Sequence, residues 1–314
     1  MAYYFGIDTS NYTTSAAIYD TDTRAVTQVK KLLTVRPGER GLRQSDAVFQ
    51  HTRQLPELTE QLFSQNTYHL SAVGVSAFPR RQEGSYMPCF LAGVNAAAAF
   101  ALGKGIPLIH TTHQQGHIAA ALFATGEREL FEQENLVFHV SGGTTDLLLC
   151  QGAERITPLG TSQDLYAGQA VDRLGVKLGY PFPAGAYVSE QAAQCTEKVH
   201  PKVSVKGVNC SLSGLENQYT KLLAEGKDPA YVCKYCLICV AETLTRMARA
   251  ALEDHPGLPV VFAGGVMSSD LIRTYVSARV PGARFVPGKF ASDNAIGVSI
   301  LAAREQGAWQ TTSM

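Results

Sequence analysis

Apolar and polar positions alternate at two periods along this chain, and the switches between them mark the elements. A β-branched and aromatic run, Tyr3-Tyr4-Phe5-Gly6-Ile7-Asp8, predicts a strand. A hydroxyl-rich turn follows, and residues 13–19 predict a second strand. From Ser45 to Gln65 the apolar positions Val48, Leu55, Leu58 and Leu62 keep helical spacing. Residues 72–78 predict a buried strand and 89–102 a small-residue helix. Residues 106–109 predict a short strand, then a turn, then a helix carrying His113 and His117. Residues 136–140 and 146–150 predict two more strands around Ser141-Gly142-Gly143-Thr144-Thr145. Helices are expected over 164–178 and 228–254. Strand 260–266 runs through Gly264-Gly265 toward a helix from Leu271, Phe285-Val286-Pro287 is a last strand, and residues 290–295 open the final helix. Strand, small-residue turn, strand occurs twice, at 3–19 and at 136–150, which predicts a duplicated domain.

Composition narrows the class. The 314 residues are 45% hydrophobic and 17% charged, which fits a globular chain of about two domains. Formal net charge is zero, so contact with nucleic acid would need local basic patches rather than a global field. Lys30, Lys31, Arg36, Arg40, Arg43, Arg53, Arg80 and Arg81 are the candidates, in the first domain, with a solvated face as the alternative. No run of eighteen apolar residues occurs and no export signal is evident, so a cytoplasmic protein without a membrane span is expected. Seven cysteines, an odd number, argue against a disulfide framework. Cys233, Cys236 and Cys239 have the spacing of a cluster ligand set, but they sit within a helical pattern and read as core.

Candidate chemistry concentrates in a few stretches. His113 and His117 share a helix face, where two imidazoles can bind one metal, and Gly116 is expected to leave room beside the second. Asp8 ends its strand, where it can hold a metal or a water or be an ordinary turn aspartate. The paired glycines of 141–145 permit close backbone approach and suit a phosphate. Ser211-Leu212-Ser213-Gly214-Leu215 precedes a helix whose N-terminus can face an anion. Asp293 is either a helix cap or a third metal ligand.

Five stretches in order resemble one family, the tRNA threonylcarbamoyladenosine transferases, once called O-sialoglycoprotein endopeptidases. They are Gly6-Ile7-Asp8-Thr9-Ser10, His113-Gln114-Gln115-Gly116-His117, Val140-Ser141-Gly142-Gly143-Thr144, Ala263-Gly264-Gly265-Val266 and Ser292-Asp293-Asn294. Residues 211–215 are similar to that family's Ser-Phe-Ser-Gly-Leu. The resemblance implies an α/β actin-like ATPase or sugar-kinase fold, two duplicated lobes with a nucleotide cleft between them. The first lobe would span 1–110, completed by about 293–314; the second would span 111–292. It implies one divalent metal per chain, Fe2+ or Zn2+, on His113, His117 and Asp293. It implies an adenine nucleotide site, for threonylcarbamoyl-adenylate or another adenylate, made by His139, Val140, Ser141, Gly142, Gly143, Thr144, Asp172, Gly185 and Ser269. Catalytic positions would be Asp8, Asn11 and His139. Partners would be tRNA, modified at N6 of adenosine 37, and proteins of the same machinery docked through the first lobe.

The chain departs from that pattern at several carboxylates. The family's Ser-Cys-Asp-Glu-Thr is Ser10-Asn11-Tyr12-Thr13-Thr14, and its Gly-Glu-Ala-x-Asp is Gly168-Gln169-Ala170-Val171-Asp172. Its Gly-Pro-Gly loop is Phe78-Pro79-Arg80-Arg81, and its His-Thr-Gln is Thr144-Thr145-Asp146. An amide takes no proton at neutral pH. A divergent paralogue, non-catalytic or differently specific, is therefore the alternative. A metalloprotease is disfavoured because position 114 is Gln, not Glu.

Overall fold

The computed structural model describes residues 2–10, 12–35, 42–64, 66–290 and 295–309. The chain divides into two compact units, Met1–Phe131 with Asp293–Met314, and Glu132–Ser292. The boundary thus falls after Phe131 rather than after His110, and the histidine helix belongs to the first unit.

In the first unit, β1 (Tyr3–Asp8), β2 (Thr13–Asp20), β3 (Val26–Leu32), β4 (Leu70–Phe78) and β5 (Leu108–Thr112) form one sheet in the order β3-β2-β1-β4-β5. The first three strands are antiparallel neighbours, and β4 and β5 add in parallel. Helices α1 (Gln44–Phe63) and α2 (Phe90–Lys104) cover one face, burying Phe5, Ile7, Val73 and Val75 against Leu55, Leu58, Leu62 and Ala97. On the other face lie α3 (His113–Ala124) and α9 (Ile296–Glu305). Gly6 and Gly74 are neighbours across β1 and β4. A Cβ on Gly6 would meet the Ala295 carbonyl at 2.5 Å, and one on Gly74 the Val298 carbonyl at 2.6 Å. Two adjacent glycines make a shallow bed in the sheet, and α9 lies in it.

In the second unit, β6 (Glu134–Val140), β7 (Thr145–Gln151), β8 (Arg155–Thr161), β11 (Val260–Ala263) and β12 (Ala283–Phe285) form a sheet ordered β12-β11-β6-β7-β8. Read from β8, its order and its strand directions repeat those of the first sheet. Alternate residues of β6, Leu136, Phe138 and Val140, enter the core. That core is built by α4 (Ala167–Lys177), α5 (Gly185–Ala193), α6 (Ser213–Ala224), α7 (Pro229–Asp254) and α8 (Asp270–Ser277). A separate hairpin pairs β9 (Ser204–Lys206) with β10 (Asn209–Ser211).

Several boundaries differ from the sequence reading. No turn separates β5 from α3, because Thr112 is both the last strand residue and the N-cap, in a capping box with Gln115. The last strand is 283–285, not 285–287. Between β11 and α8 the chain makes a 3-10 turn, Gly265–Ser268. The third strands β3 and β8, edge strands with exposed polar residues, carried no clear apolar signal. Cys233, Cys236 and Cys239 are buried in the core, their thiols pushed up by burial, Cys233 to about 12 and Cys239 to about 11. Among the described residues no helix is long and apolar enough to cross a membrane.

Candidate metal pair and nucleotide cavity

In the first unit β1 and α3 bring three predicted residues together. The β1 strand ends at Asp8, whose carboxylate is 1% exposed. Its Oδ1 accepts from the Ser10 N–H at 2.8 Å, and its Oδ2 accepts from the Ser76 hydroxyl at 2.6 Å. The same Oδ2 lies 2.9 Å from His113 Nδ1. Burial pushes this carboxyl up. The His113 ring and the hydrogen bonds from His113, Ser10 and Ser76 outweigh it and hold Asp8 well below the usual carboxylate range. A carboxylate at Nδ1 fixes the proton there, which turns the lone pair of His113 to Nε2. That Nε2 faces His117 Nε2 at 2.9 Å.

Two imidazole nitrogens at this separation suit neighbouring positions on one small divalent ion, at metal–nitrogen bonds of about 2.0–2.1 Å. The carboxylate–histidine pair behind one of them is the arrangement that orients metal-bound imidazoles. Among the described residues no group of three or more His, Cys, Asp or Glu side chains forms a complete ligand set. Asp293, the expected third ligand, lies outside the described residues, as does Asn11. Gly116 packs against α9, where a Cβ on it would meet the Val298 side chain at 3.1 Å. The Gly116 carbonyl is where a Cβ on Gly297 would fall, so both glycines serve the close crossing of α3 and α9.

The second unit holds a cavity of about 470 Å³, a size that admits a nucleotide. Of the predicted binding residues, Ser141, Gly142, Asp172, Gly185 and Ser269 line it; His139, Val140, Gly143 and Thr144 are not among its lining. Val140 is fully buried, and its backbone is covered by Gly264, on which a Cβ would collide with the Val140 carbonyl. His139 is half-buried at the end of β6, opposite Asp146. The 141–144 turn is partly self-satisfied: the Gly143 and Thr144 N–H groups donate to Ser141 Oγ at 3.1 and 3.2 Å. Gly142 is left with its N–H not engaged within the turn.

Asp172 is the only charged side chain of the lining among the described residues, and its Oδ1 accepts from the Ala184 N–H at 2.8 Å. Ser269 is buried, and among the described residues its hydroxyl has no hydrogen-bond partner. A buried hydroxyl without a partner is costly, and this one sits in a cavity wall. Gly168 and Gly265 also line the cavity. A Cβ on Gly168 would meet the Gly142 nitrogen and the Ser141 carbonyl at 2.6 Å, so only glycine lets α4 start against the turn. The sequence carried that signal in Gly168-Gln169-Ala170, but nothing local tied it to residue 142.

The N-terminus of α6 is not an open anion site. Asp164 fills it: one carboxylate oxygen accepts from the Leu212 N–H at 2.7 Å and the Ser213 N–H at 3.2 Å, and the other is bonded by the Ser213 hydroxyl. Burial pushes Asp164 up, but these bonds prevail and hold it below the ordinary value.

The repeated sheet topology, the paired glycine bed and the cavity define an α/β protein of the actin-like ATPase and sugar-kinase class. Structural neighbours agree at the level of fold. Component A of the (R)-2-hydroxyglutaryl-CoA dehydratase of Acidaminococcus fermentans superposes with a TM-score of 0.56, at 14% identity, over 98% of this chain and all (100%) of that one. Full-length HypF in a phosphate- and nucleotide-bound form gives 0.59, at 11% identity, over 98% of this chain and 47% of that chain. A sequence model described as TsaD, tRNA N6-adenosine threonylcarbamoyltransferase, matches residues 27–299, and the chain belongs to this family of tRNA-modifying transferases. A transferase of that name from Streptococcus suis is 30% identical over 247 residues, 75% of this chain and 71% of its own. One from Streptococcus pneumoniae is 32% identical over 216 residues, 65% of this chain and 63% of its own.

Proposed function

We propose that this chain transfers a threonylcarbamoyl group from threonylcarbamoyl-adenylate to N6 of adenosine 37 in tRNA, using one divalent metal, Fe2+ or Zn2+. The observation that carries the reading is the family match over 27–299, which takes in both histidines and every residue lining the cavity. In the cavity, Val171, Leu237 and Val266 offer apolar contact to a base. Asp172 accepts from ribose hydroxyls, and the free N–H of Gly142 donates to the phosphate. His113 and His117, with Asp293, would hold the metal, which would supply Lewis acidity to the transfer. Asp8 touches neither substrate nor metal in this reading and positions His113. In the transfer the N6 lone pair bonds to the carbamoyl carbon, the bond to the phosphate oxygen breaks, and AMP leaves with the electron pair. The N6 proton passes to a base, for which His139 is the candidate, with Asn11 contributing hydrogen bonds.

One feature favours a second reading, a nucleotide-binding partner that is non-catalytic or differently specific. Gln169 stands where the resemblance places Glu, and its Oε1 faces the Tyr166 N–H at 3.5 Å across the start of α4. Glutamate caps a helix as well as glutamine does. The exchange therefore keeps the fold and removes only the charge.

The purified chain, supplied with threonylcarbamoyl-adenylate and unmodified tRNA, is expected to yield threonylcarbamoyladenosine by mass spectrometry of digested nucleosides. Loss of bound metal and of product in His113→Ala/His117→Ala is also expected. A metal-free wild-type protein that yields no product, alone or with its partner proteins, refutes the transferase reading. Product formed only when a second transferase is present supports the partner reading.

A further inference from the structure

The basic residues expected in the first unit include Arg36 and Arg40, which lie outside the described residues; the second unit carries a regular basic row. Over residues 198–206 exposure alternates strictly. Lys198, His200, Lys202, Ser204 and Lys206 are exposed, while Val199, Pro201, Val203 and Val205 are half-buried. Val199, Val203 and Val205 pack onto the core of the unit. Residues 204–206 are strand β9, in which successive side chains turn to opposite faces, and residues 198–203, outside any helix or strand, carry the same alternation. Its apolar face is pinned and its polar face is a row of donors.

The ribbon is also held in place. At its start, Lys234 of α7 donates through Nζ to the Cys195 and Glu197 carbonyls, both at 2.8 Å. In its middle, the Lys202 backbone passes beside the Tyr235 hydroxyl of α7. At its end, β9 pairs with β10, and Asn209 of β10 accepts from the Thr161 N–H at 3.0 Å.

The lysines of the row are not ion-paired among the described residues. Between Glu197 and Glu216 there is no Asp or Glu, although the whole chain has zero net charge. Lys31 pairs with Glu57 and Lys221 with Glu225, but Lys198, Lys202 and Lys206 enter no ion pair among the described residues. Alternate residues of an extended chain stand about 6.6 Å apart, close to the interval at which a nucleic-acid strand presents successive phosphates. Lysines four apart then meet every second phosphate, with the His200 imidazole and the Ser204 hydroxyl between them.

We propose that the ribbon 198–206 is a docking rail for the sugar-phosphate backbone of the RNA acceptor, separate from the nucleotide cavity. Its donors carry no base-edge selectivity, so it sets affinity and register rather than sequence choice. The proposal rests on the reading that RNA is the acceptor.

The test compares wild type, Lys198→Gln/Lys202→Gln/Lys206→Gln, and a control of equal charge change, Lys104→Gln/Arg155→Gln/Lys221→Gln. Binding of unmodified tRNA is measured across a salt series, and binding of AMP to each variant reports an intact cavity. The rail variant is expected to lose about 2–3 units of the slope of log K against log salt, and to bind tRNA at least about tenfold more weakly at low salt. The control is expected to keep nearly the wild-type slope. An unchanged slope in the rail variant overturns the rail, as does an equal loss in the control. An equal loss against polyglutamate also overturns it, since the ribbon would then be a general polyanion surface. Wild type that binds no tRNA refutes the RNA reading itself, a different outcome from a wild type that binds and a rail variant that binds equally well.

Discussion

Asp8→Asn tests whether a buried carboxylate organises the histidine pair. Asp8 takes three donors in a site from which water is excluded: Ser10 N–H at 2.8 Å, the Ser76 hydroxyl at 2.6 Å and His113 Nδ1 at 2.9 Å. An amide has one oxygen in place of two. With that oxygen toward Ser76 and His113, its NH2 opposes the Ser10 N–H. Turned over, its NH2 opposes His113 and Ser76. In either orientation at least one buried donor loses its acceptor and the others lose a charged one. Hydrogen bonds to charged groups contribute about 1.5–3 kcal/mol, and an orphaned buried donor costs about 1–3 kcal/mol. The expected destabilisation is therefore about 2–4 kcal/mol, or roughly 5–15 °C in melting temperature for a unit of this size. Loss of the carboxylate behind a metal-bound imidazole lowers metal affinity about 10–100-fold. Calorimetric melting and chelator competition for Zn2+ and Fe2+ read the two effects separately. Ser76→Ala is the control: it removes one donor to Asp8, leaves His113 in place, and is expected to lower stability by about 1 kcal/mol while keeping metal affinity. An Asp8→Asn protein that binds metal with wild-type affinity refutes the coupling of Asp8 to the histidines, whatever its melting temperature.

The other predictions concern the second unit. Gly168→Ala forces the 141–142 backbone away from α4, so AMP affinity measured by calorimetry falls at least tenfold, by about 1.4 kcal/mol or more, while far-ultraviolet dichroism is unchanged. Ser269→Ala removes a buried hydroxyl without a partner among the described residues, so the unliganded protein melts no lower than wild type while AMP affinity drops; a lower melting temperature would show that the hydroxyl is already satisfied. Asp164 is held below the ordinary carboxylate value of 3.8. The stability it contributes is thus fully present above that value and is lost as pH falls through the depressed folded value. Asp164→Asn should flatten the loss of melting temperature below pH about 4, and an unchanged acid slope would refute this. Cys236→Ser places a hydroxyl in a fully buried apolar site and is expected to cost about 1–3 kcal/mol. Transfer activity per folded molecule, from activity corrected for the folded fraction, should not change.

Much of the fold around the candidate site was legible because its signals are local. A strand, a small-residue turn and a second strand come from neighbouring residues; their recurrence at 3–19 and 136–150 predicted a duplicated domain, and the structure adds that the two sheets share one strand order. The four-residue interval from His113 to His117 set both imidazoles on one helix face before any coordinates. Asp8 was visible only as a strand end. That its carboxylate serves His113, 105 positions later, depends on β1 and β4 lying side by side. The same limit explains the misread helix at 213. An open N-terminus and one already filled by Asp164, 49 positions earlier, look alike in sequence. Gly116 and Gly297 carry no local mark of each other either.

By itself the sequence determined the periods, the turns, the duplication and the residue types able to hold a metal or approach a phosphate, because each follows from backbone geometry over a few residues. Tertiary structure decided which of these groups meet. It spent Asp8 on a histidine and Asp164 on a helix end, brought Gly168 against Gly142, and left Ser269 facing a cavity. It also turned Lys198, Lys202 and Lys206 outward in one row by burying the valines between them. Hydrogen bonding and burial act between atoms close in space, and only the folded path of the chain sets which distant residues those are.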